Sequence, residues 1–307
     1  GWTGAWVWVL GSAAARWPPA GIVGAQRNCR WQCAQRLAQA RLAGPIVRKG
    51  TPGHGLSPTG GGRTRPDRPY SLKLFSDSKL STPMNLSRAA WLRLLPFVVF
   101  MALLLLRGMA LSGDGWGFDA RWLYAANLVL VGGMLALWWR DYGELARQNW
   151  PTLREAGLAV AVGLGVFVLW IHLDAPWMQI GQPTAVFVPL GADGQLLWPL
   201  IVVRWLGAAL LVPVMEELFW RSFLMRWVQS PVFEAVDPRR VGVKAVLLST
   251  FVFMLAHPLW LAAIVAGLAY ALLYRSTGRL WTAVIAHAVT NGALGIWVVA
   301  SGQWQFW

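Results

Sequence analysis

Seven apolar stretches follow one another between residues 92 and 300, and each approaches the ~20 residues that a helix needs to cross a bilayer. They are Leu92–Leu111, Trp122–Trp139, Ala156–Leu173, Leu197–Met215 with a continuation to Val228, Val243–His257, Leu259–Tyr274 and Leu280–Ala300. The fifth and sixth are shorter and are separated by Pro258, because a proline ends or sharply bends a helix. The pattern predicts an all-α polytopic transmembrane bundle of about seven helices.

Basic residues in the connections alternate along the chain. Arg140, Arg147 and Arg154 lie between the second and third stretches, and Arg275 and Arg279 lie between the sixth and seventh. The connections on either side of these are poor in Lys and Arg, and Trp residues gather near the ends of the stretches. The positive-inside rule then predicts a cytoplasmic N-terminus and a C-terminus on the opposite side.

The composition supports a membrane protein. Of the 307 residues, 56% are hydrophobic and only 13% are charged, about half the usual share of a soluble domain. The net charge of +14 is misleading, because residues 1–83 hold 12 of the 27 Lys and Arg but only two acidic residues. We therefore expect no nucleic-acid partner. Both cysteines, Cys29 and Cys33, also lie in this tail, so residues 84–307 can form neither a disulfide nor a cysteine nucleophile.

The first 83 residues differ in kind from the rest of the chain. Residues 44–69 are rich in Gly, Pro, Arg and Thr and cannot bury a core. The first methionine is Met84, and an apolar run follows it. We expect residues 1–83 to be a disordered basic extension that need not belong to the native protein, and residues 84–307 to form the membrane domain. The alternatives are a basic arm on anionic lipid and a short anchor at Trp2–Leu10.

The fourth apolar stretch contains three ionisable residues within six positions, namely Glu216, Glu217 and Arg221. Each costs about 2.5–3.5 kcal/mol at membrane depth on insertion scales. Glu217 and Arg221 are four residues apart and share one helix face, where they can pair. Glu216 points about 100° away and has no such partner on its own helix. Glu216 is therefore a candidate general base, although a salt-bridged packing cluster between helices is the alternative interpretation.

Two later stretches carry further polar side chains. His257 follows Phe253 by four residues, and Asn291 follows His287 by four, so each pair shares a helix face. Either pair alone could serve only helix ends or helix packing. At a rise of 1.5 Å per residue, Glu216, His257 and His287 would lie ~18, ~20 and ~12 Å from the inner ends of their helices. We therefore expect one layer that could hold a water, or a metal with a water.

The ordered motifs resemble those of a known family. Glu216-Glu217-x-x-x-Arg221, Phe253-x-x-x-His257 and His287-x-x-x-Asn291 resemble the three signatures of the CPBP intramembrane proteases. This family includes type II CAAX prenyl endopeptidases and bacteriocin-processing and immunity proteins, and it is also called the Abi family. The resemblance covers about residues 195–300. Each motif alone is weak, whereas their order on successive apolar stretches is specific.

The resemblance implies peptide-bond hydrolysis within the membrane. Glu216 would activate the attacking water with help from His257. His287 and Asn291 would stabilise the oxyanion or position the water. The residues that would support this site are Glu217, Arg221 and Phe253.

Metal dependence is open at this level. Glu216, His257 and His287 could form a zinc site of two imidazoles and one carboxylate. However, the sequence has no His-Glu-x-x-His motif, and a glutamate-driven mechanism needs no metal. We therefore favour a mechanism without a cofactor and keep zinc as the alternative.

The expected partners are the lipid bilayer and a membrane-associated peptide or protein, cut near a C-terminal CAAX-like or sorting signal. A narrower resemblance points to a bacterial branch called CAAX protease-related, which is associated with protein-sorting systems; it rests on Asp119-x-Arg121-Trp122 and on the stretch from Trp139 to Glu144-Leu145. It implies a bacterial inner membrane. The main rival is a non-catalytic peptide-binding or immunity-type protein with the same cavity. A transporter with a proton site at Glu216 would predict internal repeats, which the sequence lacks.

Overall fold

The computed structural model describes residues 86–112, 117–181 and 186–307, and all of these belong to one compact unit. These residues form helices and loops, with two isolated β-bridges and no strand. The all-α prediction is therefore confirmed. The predicted extension at residues 1–83 lies outside the described residues.

Seven helices build the described part. They are α1 (Arg88–Ser112), α2 (Leu123–Leu137), α3 (Leu153–His172), α4 (Trp198–Met225), α5 (Val243–Leu255), α6 (Trp260–Thr277) and α7 (Leu280–Ser301). Single turns of 3₁₀ helix lie in the connections, at Ala120–Trp122, Trp139–Asp141, Gly143–Leu145, Arg147–Asn149, Pro176–Met178, Phe233–Ala235, Pro238–Arg240 and Trp304–Phe306.

The fifth predicted span is shorter than the sequence suggested. Helix α5 has only 13 residues, whereas 6 helices in the described part are long and apolar enough to cross a membrane. Pro258 accounts for the early end of α5: it lies in the break between α5 and α6, as the sequence predicts. The protein is thus a multi-pass membrane bundle in which one central helix does not have the length of a full span.

Helix α4 is not a uniform α-helix, a feature that the apolar pattern did not predict. It widens into π-helix at Gly207–Leu211 and again at Leu218–Met225. Between the two lies a short α-helical segment, Val212–Glu217, which carries both glutamates. A π-helical turn shifts the register of its side chains and often marks a functional site.

Small residues let the helices approach closely around the site. Gly163 of α3 lies against α7, where a Cβ atom would collide with the Ala286 carbonyl and come within 2.9 Å of Val289 Cβ. Such close contact is typical of membrane helices, whose association depends on tight packing rather than on the hydrophobic effect. The α3–α7 pair is the most extensive helix contact, and it holds α7 beside α4.

Candidate functional site

A buried ion pair lies at the centre of the bundle. Arg221 Nη1 donates to Glu217 Oε1 at 3.1 Å, and His287 Nδ1 contacts the same oxygen at 2.9 Å. Glu217 is fully buried and the other two side chains nearly so. The pairing of Glu217 with Arg221 expected from their spacing is therefore present, and α7 adds an imidazole to it.

Aromatic rings connect this ion pair to the second histidine. The Arg221 guanidinium carbon lies 4.6 Å from the ring centre of Phe253 and 5.4 Å from that of Tyr270. The His257 ring lies 4.3 Å from the Phe253 ring, and the His287 ring stacks on Tyr270 at 5.0 Å. One continuous set of contacts thus joins the three motifs. Tyr270 has no counterpart among the predicted site residues, because one tyrosine in an apolar helix gives no signal.

Glu216 lacks the ion pairs that Glu217 forms. It is fully buried, yet neither of its carboxylate oxygens has a hydrogen-bond partner among the described residues. Trp220 follows one turn later on the same helix, and its indole N–H lies near the Glu216 carboxylate without forming a hydrogen bond of ordinary geometry. The Glu216 charge is close enough to act on the Tyr270 hydroxyl. Glu216 therefore lies in the polar centre of the bundle without a salt bridge to a described residue.

His257 lies just after the end of α5, where its ring is fixed by two contacts. Its Nδ1 is 2.7 Å from the Phe253 carbonyl oxygen, and Trp170 meets the ring edge-on at 5.8 Å. A carbonyl oxygen can only accept, so Nδ1 carries the hydrogen, and in the neutral ring Nε2 is the acceptor. This tautomer is the one a water-activating base would need.

A small cavity of about 40 Å³ lies between His257 and Asn291. A water molecule needs ~10–15 Å³ of such space and two to four polar partners, so the cavity can hold water. Glu216 is not among the residues that line it. The remaining lining residues are Trp170, Pro258, Leu259, Leu294, Gln305 and Phe306.

Asn291 is held by the first π-helical segment of α4. Its Nδ2 donates to the Ala208 carbonyl at 2.9 Å, which uses one of its two amide hydrogens. His287, one turn earlier on α7, instead contacts Glu217. The two donors predicted to act together therefore reach different segments of α4, and the widened helix explains how the Ala208 carbonyl comes to accept a side chain.

The alternative zinc site has no preformed group of ligands in the described residues. Within the described residues, no group of three or more His, Cys, Asp or Glu side chains could hold a metal ion. Glu216, His257 and His287 are thus not gathered as ligands.

A second buried cluster lies near the C-terminal end of α4. The sequence did not predict it as a unit. Arg93 donates to both Glu144 oxygens, at 2.8 and 2.6 Å, and also to Ser222 Oγ. Ser222 donates to Glu144, and Arg226 Nη2 donates to Ser222 Oγ at 2.7 Å. In sequence these residues look like loop charges and an isolated hydroxyl, because Glu144 lies 51 positions from Arg93 and 78 from Ser222.

The electrostatics of Glu144 show how tightly this cluster is paired. Burial alone would raise the pKa of Glu144, but the hydrogen bonds and charge of Arg93, with the Ser222 hydroxyl, lower it below its ordinary value. The carboxylate is therefore held in its charged form. We call Arg93, Glu144, Ser222 and Arg226 the inner network.

Comparison with known proteins agrees with the motifs. Residues 198–293 match the family model described as Type II CAAX prenyl endopeptidase Rce1-like. No curated protein and no solved structure matches the chain. The matched region begins with α4 and includes all three motifs. The resemblance to the CPBP family is thereby confirmed, and the six apolar helices agree with an integral multi-pass protein of this kind.

Proposed function

We propose that this chain is an intramembrane endopeptidase with Glu216 as its general base. Its residues 198–293 match the type II CAAX prenyl endopeptidase Rce1-like family model. The observation that carries the proposal is the contrast between adjacent glutamates. Glu217 binds both Arg221 and His287 through Oε1, whereas Glu216 is equally buried and forms no salt bridge with a described residue. A buried carboxylate without partners is costly, and a role in chemistry explains why it is there.

In the proposed reaction Glu216 and His257 bind one water, which requires Glu216 to reach the cavity beside His257 that it does not line in this structure. The water oxygen attacks the carbonyl carbon of the scissile peptide bond while its proton passes to the Glu216 carboxylate. His257 Nε2 accepts a hydrogen bond from the same water and orients it. The tetrahedral intermediate then collapses, the C–N bond breaks, and Glu216 returns the proton to the leaving amine.

Donors on α7 would stabilise the negative oxygen of the intermediate. Asn291 retains a second amide hydrogen beyond the one given to Ala208. His287 Nδ1 faces Glu217, so its Nε2 can donate only when the ring is protonated. The adjacent Glu217 supplies the negative charge that such a ring needs. The proposed steps use no metal, and zinc stays the alternative.

The substrate class follows from where the site lies. The motif residues are carried by apolar helices and the loop that joins two of them, so the substrate must reach them from the bilayer or from a cavity at its surface. We propose a membrane-associated peptide or protein that is cut near a C-terminal CAAX-like or sorting signal. We further propose a bacterial inner membrane with a cytoplasmic N-terminus, as the loop charges indicate.

The test is cleavage of membrane-anchored peptides by the purified full chain in lipid nanodiscs, with products identified by mass spectrometry. We expect cleavage by the wild type, none by Glu216→Gln, and unchanged cleavage by Glu234→Gln, which alters an exposed loop glutamate. A chelator should leave the wild-type rate unchanged. Equal cleavage by wild type and Glu216→Gln would end the assignment, and peptide binding without cleavage would favour the non-catalytic rival.

A further inference from the structure

Two arginines lie buried inside the bundle without an acidic partner among the residues that the structure describes. Arg107 of α1 and Arg204 of α4 are each only 3% exposed. Among the described residues, neither side chain makes a salt bridge or a hydrogen bond. Arg93, Arg221 and Arg226, the other buried arginines of the described part, all pair with a carboxylate. This difference calls for a physical explanation.

An arginine cannot remove the cost of burial by losing its proton. The guanidinium stays charged in proteins, and an uncompensated buried ion costs several kcal/mol. Arg107 Nε and Nη2 and Arg204 Nε are buried without a hydrogen-bond partner. These are directional donors that an oxygen acceptor would satisfy.

Aromatic rings offset part of this cost, and both cations lie against one of them. The guanidinium carbons of Arg107 and Arg204 lie 5.0 and 5.8 Å from the centre of the same Phe187 ring. Arg204 also lies 4.6 Å from the Tyr124 ring. A cation–π contact contributes about 0.5–2 kcal/mol, which is less than the cost of burying the ion. Two neighbouring cations also repel each other, so the rings alone do not balance the site.

Tyr124 adds a further unused donor. Its hydroxyl is buried without a hydrogen-bond partner. It lies against Gly207, where a Cβ atom would come within 2.7 Å of the hydroxyl oxygen. Gly207 begins the first π-helical segment, three residues after Arg204. The cluster thus consists of two cations and a hydroxyl, all able to donate, beside the helix that carries Glu216.

We propose that Arg107 and Arg204, with Tyr124, form a binding site for one anionic group, a carboxylate or a phosphate. These groups accept hydrogen bonds from guanidinium in paired, charge-assisted geometry. The anion could come from a small free ion or from a lipid headgroup phosphate. It would neutralise the pair and fix α4 next to its π-helical segment. This proposal is independent of the peptidase reaction.

The test measures thermal unfolding of the delipidated full chain in detergent. Inorganic phosphate or acetate is titrated into the protein, and a bulky sulfonate salt keeps the ionic strength constant. A second arm reconstitutes the protein into vesicles of phosphatidylglycerol or of phosphatidylcholine. At an anion concentration a hundred times Kd, we expect Tm to rise by about 5–10 °C. A response to phosphate without lipid identifies a free anion, and a response to phosphatidylglycerol alone identifies a headgroup.

Variants assign the response to the two arginines. Arg107→Gln combined with Arg204→Gln should abolish the anion-dependent rise in Tm. Arg121→Gln should retain it, because Arg121 is already paired with Asp119. Calorimetric titration of the wild type with phosphate should give one site per chain, which keeps the test valid if the double variant does not fold. A wild type that responds to no anion and to no vesicle, or a double variant that responds fully, would overturn the proposal.

Discussion

Helix α4 contributes to two clusters of buried charge. Ser222, which belongs to one, lies only six positions after Glu216, which belongs to the other. In the inner network, Arg93 and Arg226 both bind Glu144 and Ser222, and both oxygens of Glu144 accept hydrogen bonds. In the site around Glu216, Glu217 is paired with Arg221 and His287 through one oxygen, whereas Glu216 forms no salt bridge with a described residue.

The difference separates two uses of buried charge in a membrane protein. A satisfied network holds elements together, here α1, the turn at Gly143–Leu145 and the second π-helical segment of α4. A buried carboxylate without a salt bridge lowers stability, and its lone pairs are available to a substrate or a water. The comparison therefore predicts that mutations in the two clusters separate activity from stability.

Glu216→Gln is the strongest test of this separation of activity from stability. We expect the rate of peptide cleavage to fall at least ~1,000-fold, about 4 kcal/mol of transition-state stabilisation. Thermal stability should be equal or higher, because an unpaired buried charge is removed. Cleavage assays and thermal unfolding of the same sample measure both. A loss of stability that matches the loss of activity would place Glu216 with the structural residues.

Glu217→Gln should lower the stability of the protein, which Glu216→Gln should not. It leaves Arg221 buried without its carboxylate, so we expect a loss of about 3–5 kcal/mol in the free energy of unfolding. Glu216→Gln is the matched control, since it makes the same chemical change at the adjacent, equally buried residue. If Glu217→Gln is as stable as Glu216→Gln, the ion pair does not stabilise the bundle.

Asn291→Ala tests the proposed oxyanion donor. We expect kcat to fall about 100-fold with KM little changed, because the contact would strengthen only in the transition state. Asn127→Ala is the control, since Asn127 Nδ2 also donates to a buried carbonyl, that of Phe100, but lies on α2 away from the motifs. Equal effects of both variants on kcat would show that Asn291 acts through folding alone.

The inner network should make stability depend on pH. The pKa of Glu144 is lower in the folded state than its ordinary value, so its contribution is present at neutral pH. That contribution is lost as the pH falls below ~4.3 and through the folded-state pKa. Glu144→Gln should remove this part of the acid sensitivity and lower stability at neutral pH by about 1–3 kcal/mol.

Unfolding of wild type and Glu144→Gln at several pH values between 3 and 7 gives the comparison. Asp141→Asn is the control, because Asp141 pairs with the exposed Arg88 and such surface pairs contribute little. Parallel pH curves for wild type and Glu144→Gln would contradict the prediction.

Much of the molecule followed from local pattern. Apolar runs located the helices to within a few residues, because membrane spans need uniform hydrophobicity over a fixed length. The spacing of Glu217 and Arg221 gave their pairing, since a helix alone fixes neighbours four residues apart. The partners of Glu144 could not be found in this way, because Arg93 and Ser222 lie 51 and 78 positions away.

By itself, then, the sequence determined an all-α membrane bundle, the three motifs, and the division of two adjacent carboxylates into a paired and an unpaired one. Only the tertiary structure decided the π-helical segments of α4, the aromatic stack through Tyr270, and the meeting of Arg107 with Arg204 around Phe187. The physical reason is the range of the forces involved. Hydrophobicity and helical periodicity act along the chain, whereas contacts between helices depend on packing that no local pattern records.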